Sequence, residues 1–287
     1  MWFTYTILSI FSLGIAYTLF KFPALQNQNR FASTFWVNFS SLILVTLGIV
    51  LFSPHSISLI TEKIVWIGLL WGLIFSLNIF FYMSALKKMY ASVVFPIASA
   101  ISTIFVIAVG FIFLSDTVSL LKIVGIIIIL AFVYLLNKKK GKISFDRELL
   151  LYFFGIIITS FLVKYIQKIL IDLSGDPIAV MLPEYIGATI FSLIFGYLFY
   201  KKDFLVALGK KQEIKSGIII AIPLLAGGYF LISALKIGEL SQVFTMHPAY
   251  VVIVALLSSI FFKEKLGWKK LMIIFAIVFG IILIKIG

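Results

Sequence analysis

The sequence predicts an all-α membrane protein: ten transmembrane helices, arranged as two inverted five-helix repeats around a central cavity. Three observations predict it. Of 287 residues, 62% are hydrophobic and only 12% charged, with a mean hydropathy of +1.18, against roughly 45–50% apolar and 25% charged in soluble domains. The apolar runs are about twenty residues long, the length a helix needs to cross roughly 30 Å of hydrocarbon. The tetrapeptide Ser-Ala-Leu-Lys occurs twice, starting at Ser84 and at Ser233, and this spacing of about half the chain points to a duplication.

In order, the spans are expected at 3–22, 31–53, 64–85, 91–114, 119–137, 149–171, 177–200, 214–235, 240–262 and 267–286. The first is too long and too weakly basic at its start, and too poor in small residues for cleavage, to be a removed signal peptide. The second carries Asn38 in mid-span, an interhelical hydrogen-bonding group or a ligand contact. In the third, Gly68-x-x-x-Gly72 predicts close helix packing, and Trp71, Asn78 and Tyr82 share one helical face. The fourth holds Pro96, a kink or hinge. In the fifth, IVGIIIILAFVYLL (123–136) shows none of the alternation a barrel strand requires, so the spans are helices.

The sixth span contains Lys164 and Lys168, the seventh Glu184, the eighth Pro223 and Tyr229, and the ninth His247, Pro248 and Tyr250. The tenth has no ionisable group deep in its run. KKKGKISFDRE (138–148) divides five spans from five, giving repeats at 1–140 and 148–287, and KKDFLVALGKKQEIK (201–215) is the other loop of any length. Because each half has an odd number of crossings, the second copy enters the membrane upside down. The two Ser-Ala-Leu-Lys segments then cap equivalent helices on opposite faces, and Asp116 stands opposite Glu264. Inverted repeats of this kind are typical of secondary transporters.

The formal charge of +13 does not point to nucleic acid, because the basic residues gather at helix ends, where lipid headgroups and topology account for them. Eighteen lie in the loops after the first, third, fifth, seventh and ninth spans, and four on the other face. The positive-inside rule therefore expects the first set to be cytoplasmic and both termini outside. A chain without cysteine has no disulfide, thiol chemistry or cysteine-ligated metal, and His55 and His247 alone do not suggest a metal site. No cofactor is expected. The expected partners are a small-molecule substrate and the lipid bilayer, with no nucleic acid and a homo-oligomer left open, in a multi-pass protein of the cell (inner) membrane.

Tyr82, Ala85, Leu86, Ala91, Ser92 and Pro96, followed by a long apolar helix and Asp116-Thr117-Val118-Ser119, form a pattern that the second half repeats as Ala234, Leu235 and Ser241, then Phe262-Lys263-Glu264-Lys265-Leu266. This pattern resembles the EamA-like branch of the drug/metabolite transporter superfamily. Asp116 stands where that family more often has Glu, and Lys263 where it more often has a small residue. The resemblance implies a cavity walled by spans 1–4 and 6–9, with spans 5 and 10 peripheral, and alternating access without ATP. The sequence agrees on the last point, since it contains no G-x-x-x-x-G-K-[ST].

Ionisable groups deep in a bilayer are expensive and are functional candidates by default. By their distances from the span ends, Lys164, Glu184 and His247 all lie roughly 10 Å below the same face, at 1.5 Å per residue. One reading pairs Lys164 with Glu184 across the loop 172–176 and lets His247 bond a carbonyl freed by Pro248. The other makes them a site, Lys164 binding an anionic substrate group and Glu184 or His247 taking protons. Lys168, one turn nearer the surface, is expected to snorkel. Asn78, Tyr82, Tyr229 and Tyr250 complete the candidate set, while the aromatic residues in general are expected to face lipid.

The function expected is secondary transport of a small polar metabolite, an amino acid, organic acid or phosphorylated metabolite, with proton or exchange coupling. An intramembrane enzyme is the alternative, but Asp116, Asp146, Asp172, Asp176 and Asp203 all lie at helix ends, and neither H-E-x-x-H nor G-x-S-x-G occurs. A passive channel or scaffold would leave gradient-coupled uptake indifferent to Lys164, Glu184 and His247.

Overall fold

The computed structural model describes residues 1–88, 94–95, 98, 102, 105–106, 109–112, 119–136, 147–262 and 268–286. Asp116 and Glu264, Ala91, Ser92 and Pro96 of the repeated pattern, Lys263, and the linker over 138–146 lie outside the described residues. Among the described residues every regular element is a helix. They are α1 (Trp2–Leu19), α2 (Lys21–Leu25), α3 (Arg30–Phe52), α4 (Glu62–Lys88), α5 (Leu120–Leu136), α6 (Arg147–Ser174), α7 (Pro177–Leu208), α8 (Lys211–Ile237), α9 (Leu240–Met246), α10 (Tyr250–Phe261) and α11 (Trp268–Ile286). Short 3₁₀ turns occupy Pro54–Leu59 and His247–Ala249.

Seven membrane spans are long and apolar enough to cross a bilayer among the described residues: Trp2–Leu25, α3, α4, α6, α7, α8 and Leu240–Phe261. Helices α5 and α11 coincide with the expected fifth and tenth spans and pack against each other. Helical residues between 94 and 112 fall in the expected fourth. Large apolar side chains such as Phe52, Leu198 and Phe199 remain exposed on the outside of the bundle, as lipid-facing residues do.

Hydrogen bonds fix which helix ends lie together. The turn after α2 meets the end of α4 and the start of α8, where Lys87 Nζ donates to Gln28 O and Asn29 N to Glu213 Oε1, each at 2.9 Å. Lys88 pairs with Glu148 at the start of α6. These segments form one end of the molecule, called the basic end below. At the opposite end, Ser56 Oγ donates to Asp176 Oδ2 at 3.2 Å and Lys168 Nζ to Leu235 O at 3.1 Å. Thus α4 finishes at the basic end and α8 starts there, and their two Ser-Ala-Leu-Lys segments lie at opposite ends.

Two departures from the sequence expectations have local causes. The expected loop 201–215 is largely helical. Helix α7 breaks at Lys201, whose φ of 32° and ψ of −105° are not helical, and the chain doubles back so that Phe204 and Ala207 bury beside Phe31 and Ala32. The ninth span is interrupted at Pro248, which cannot donate to the helix ladder, giving α9, a 3₁₀ turn and α10. Pro223, by contrast, sits within an uninterrupted α8.

The centre of the bundle rests on glycine. A Cβ at Gly72 would come within 2.3 Å of the Ala188 backbone nitrogen, and one at Gly68 within 2.8 Å of Pro183 Cβ. Helices α4 and α7 therefore touch backbone to backbone, as small-x-x-x-small spacing allows where no water drives association.

Candidate functional site

A cavity lies between the two halves, lined from the expected spans 1, 3, 4, 6, 7, 8 and 9. Its free space is about 70 Å³, room for a handful of waters where one needs about 10–15 Å³. Among the described residues, none of α3, α5 or α11 lines it.

On the side toward the basic end the floor is aromatic. Tyr17 near the end of α1 has its ring centroid 4.6 Å from Tyr250 and 4.9 Å from Phe95, and Tyr82 near the end of α4 is also 4.9 Å from Phe95. Trp71 and Phe75 stack at 4.3 Å on one wall, and Trp71 Nε1 is spent on Val163 O at 3.1 Å. Helical repeat explains this grouping: Trp71, Asn78 and Tyr82 are separated by seven and four residues, so one face of α4 turns to the cavity.

The polar groups come mainly from α6. Lys164 is 7% exposed, donates to Ser102 Oγ at 2.9 Å, and stands 5.6 Å from the centroid of the Phe244 ring. Asn78 Nδ2 donates to Thr159 Oγ1 and Ser160 Oγ, both at 2.8 Å, and Gln167 follows Lys164 by one turn on the same wall. An ammonium ion at this depth, beside hydroxyls and an aromatic face, makes a charge-assisted donor for an anionic group.

His247 sits where Pro248 interrupts the helix. It is 3% exposed and lines the cavity, with its ring 5.2 Å from Tyr250, and neither imidazole nitrogen has a hydrogen-bonding partner among the described residues. The carbonyl bond expected for it is not made there. A buried polar group without a partner costs about 1–3 kcal/mol, so this imidazole points to something the cavity receives.

The other candidates lie apart. Glu184 is 1% exposed but is not on the cavity wall, although its neighbour Tyr185 is; its Oε1 has no hydrogen-bonding partner among the described residues. Tyr229 is partly exposed and lines an apolar groove with residues of α3, α7 and α8, while its neighbour Gly228 lines the cavity. Asn38 Nδ2 donates to Ala188 O at 3.2 Å, an interhelical bond. Lys168 reaches Asp172 Oδ1 at 2.8 Å and does not line the cavity.

Sequence reasoning missed Tyr17, Tyr185, Phe244, Ser102, Ser160 and Gln167. The expectation that aromatic residues face lipid fails at the cavity, where Tyr17, Trp71, Phe75, Tyr82, Tyr185, Phe244 and Tyr250 line the wall. Gln167 carried a usable signal, an amide three residues after Lys164. No cluster of three or more metal-ligating side chains occurs among the described residues.

Residues 147–286 match the model of the EamA-like transporter family. The second half of the chain is thus that of an EamA-like membrane protein. EamA-like proteins are generally transporters, and a multi-pass integral membrane architecture agrees with that membership. A solved crystal structure shares the fold over 99% of this chain and 96% of its own, with a TM-score of 0.78 and 14% identity. At that identity the likeness speaks for the fold alone. No curated protein matches the chain.

Proposed function

We propose that this EamA-family protein is a secondary transporter that moves a small organic anion, an amino acid, organic acid or phosphorylated metabolite, through the central cavity by alternating access. The observation that carries the reading is the presence, in the lining of one cavity, of the buried Lys164 ammonium and a His247 imidazole that lacks a partner among the described residues. Together they offer a cation and a second polar contact to one ligand, and the surrounding rings suit an apolar or planar body.

The inverted repeat, 1–140 against 148–287, belongs to this proposal, and the opposite placement of the two Ser-Ala-Leu-Lys segments supports it. So does the orientation: lysines gathered at the basic end favour a cytoplasmic basic end and external termini in the cell (inner) membrane. A reporter inserted within 138–148 should be cytoplasmic, and one at residue 287 external. The carboxyl of Glu184, buried in mid-span with an oxygen lacking a partner among the described residues, is the candidate coupling group. Glu184→Gln should weaken the dependence of uptake on a proton gradient while leaving binding in place.

The test is a thermal-shift screen of the purified protein against amino acids, mono- and dicarboxylates, phosphorylated metabolites and organic cations, since a ligand of the folded state stabilises it by mass action. Hits should be anionic, and the same compounds should show counterflow in proteoliposomes. Stabilisation by cations alone would overturn the substrate class. An absence of counterflow with every stabilising anion would overturn transport.

A further inference from the structure

We infer that the carboxyl of Glu213 is a latch that holds the basic end shut, and that it must release for the cavity to open on that side; the second clause rests on the transport reading. Glu213 begins the second half's α8, yet both its oxygens are used by the first half. Oε1 accepts the backbone N–H of Asn29 at 2.9 Å and Oε2 the hydroxyl of Ser33 at 2.5 Å. It is 2% exposed.

The turn it holds is gripped from several directions. Asn27 lies in the left-handed region, with φ of 51°, which turns the chain sharply between α2 and α3. Gln28 Nε2 donates to Ser216 Oγ at 3.0 Å, and Lys87 Nζ donates to Gln28 O at 2.9 Å. Arg30 Nη1 donates to Ser84 Oγ at 2.8 Å. The turn is thus clamped between the end of α4 and the start of α8, beneath the aromatic floor of Tyr17, Tyr82, Phe95 and Tyr250.

Chemistry separates a latch from a staple. Burying a carboxyl group is unfavourable unless its partners compensate, and an apolar residue of similar volume would serve a permanently closed contact better. No salt bridge engages Glu213 among the described residues, although the charges of Lys210 and Lys87 act on it from farther away; two hydrogen bonds tie it to the turn, and water can replace both when the ends part. A contact that is costly to bury and easily solvated suits a surface that opens and closes.

The natural absence of cysteine makes the test direct. Ala24→Cys places a thiol in α2, buried behind the turn, and Ser56→Cys places one at the opposite end, also buried. Maleimide labelling rates are read in nanodiscs on the full chain. Glu213→Ala should raise the rate at position 24 at least tenfold and leave that at position 56 within twofold. Glu213→Gln, which keeps an acceptor oxygen, should raise it two- to threefold. If Glu213→Ala does not fold, Ser33→Ala carries the test, with a threefold or greater rise at position 24 alone.

No rise at position 24, or an equal rise at both sites, would overturn the latch. Labelling needs no substrate, so a protein that fails to transport yet shows the selective rise would refute the functional reading and keep the latch. Normal counterflow with unchanged labelling would do the reverse.

Discussion

The two Ser-Ala-Leu-Lys segments are identical in sequence and differ in use. The first ends α4 inside a network: Ser84 accepts from Arg30, and Lys87 clamps the Gln28 carbonyl. The second ends α8 with Lys236 exposed, and Leu235 offers its carbonyl to Lys168. Toward the first segment the cavity is floored by packed rings; away from it the wall carries Lys164, Gln167 and His247. One repeated element closes one end and lightly ties the other, so what differs between the halves lies in the partners that meet the segment. On the transport reading proposed above, the two ends would then differ in how readily they open.

The largest expected effect lies where both ends share a support. Gly72→Leu drives a side chain into the Ala188 backbone, which a Cβ alone already approaches within 2.3 Å. Overpacking costs about 1–3 kcal/mol and occasionally more, and backbone cannot rotate away as a side chain can. Folded protein should be lost from size-exclusion profiles. Gly68→Ala meets the side chain of Pro183 and should lower the melting temperature without abolishing folding. If Gly72→Leu folds normally, α4 and α7 can separate, and neither end is anchored as described.

Next comes the deep cation. Lys164→Ala should weaken binding of any stabilising anion by roughly 2–3 kcal/mol, or about 30- to 150-fold, the range for a hydrogen bond to a charged group at its upper end. Calorimetric titration checks it. His247→Ala should cost less, about 0.5–1.5 kcal/mol, the range for a hydrogen bond without a charged partner.

The sequence carried the spans because hydrocarbon requires long apolar runs, and it carried one face of α4 because helical spacing brings Trp71, Asn78 and Tyr82 together. It could place Lys164, Glu184 and His247 in depth, since rise per residue is fixed. Rotation about the helix axis is set by neighbours, which is why Glu184 stands off the cavity wall that its neighbour Tyr185 lines. Tyr229 misleads for the same reason, giving its place on the wall to Gly228. Glu213 is illegible in isolation: an acid in the first turn of a helix is ordinarily solvated, and only the turn at 26–29, distant in sequence, buries it. The helix after Lys201 was hidden by its lysines, which resemble a loop until Phe204 is seen against Phe31.

The helix caps give a smaller and matched contrast. Asn29 Oδ1 accepts from Phe31 N and Ala32 N at the basic end, and Asp176 Oδ1 from Ile178 N and Ala179 N at the other. Loss of either cap should cost about 1 kcal/mol, and Asp176→Ala somewhat more in thermal stability, because it also removes the acceptor of Ser56 Oγ. Labelling of a cysteine at position 24 should rise only with Asn29→Ala, whose cap orients the turn that Glu213 holds. Equal labelling in both variants would mean that the two ends are loosened alike.

The smallest effect is expected at Lys168, and it is the sharpest check on the asymmetry. Its ammonium lies one helical turn from Lys164, bonded to Asp172 Oδ1 at 2.8 Å and to Leu235 O at 3.1 Å, but Asp172 is 52% exposed. An exposed ion pair contributes about 0–1 kcal/mol, and water can replace the lysine at the Leu235 carbonyl. Lys168→Ala should therefore leave anion affinity within about fivefold, the factor to which 1 kcal/mol corresponds, and leave labelling of a cysteine at position 56 nearly unchanged. Lys164, buried in the cavity wall, is the lysine proposed to meet the anion directly, so the two lysines should separate by about sixfold or more. If Lys168→Ala instead matches Lys164→Ala in lost affinity, the Lys168 to Leu235 bond is holding the opposite end as firmly as Glu213 holds the basic one. The cavity would then be shut on both sides, and the difference between the two Ser-Ala-Leu-Lys segments would be one of residue choice rather than of strength.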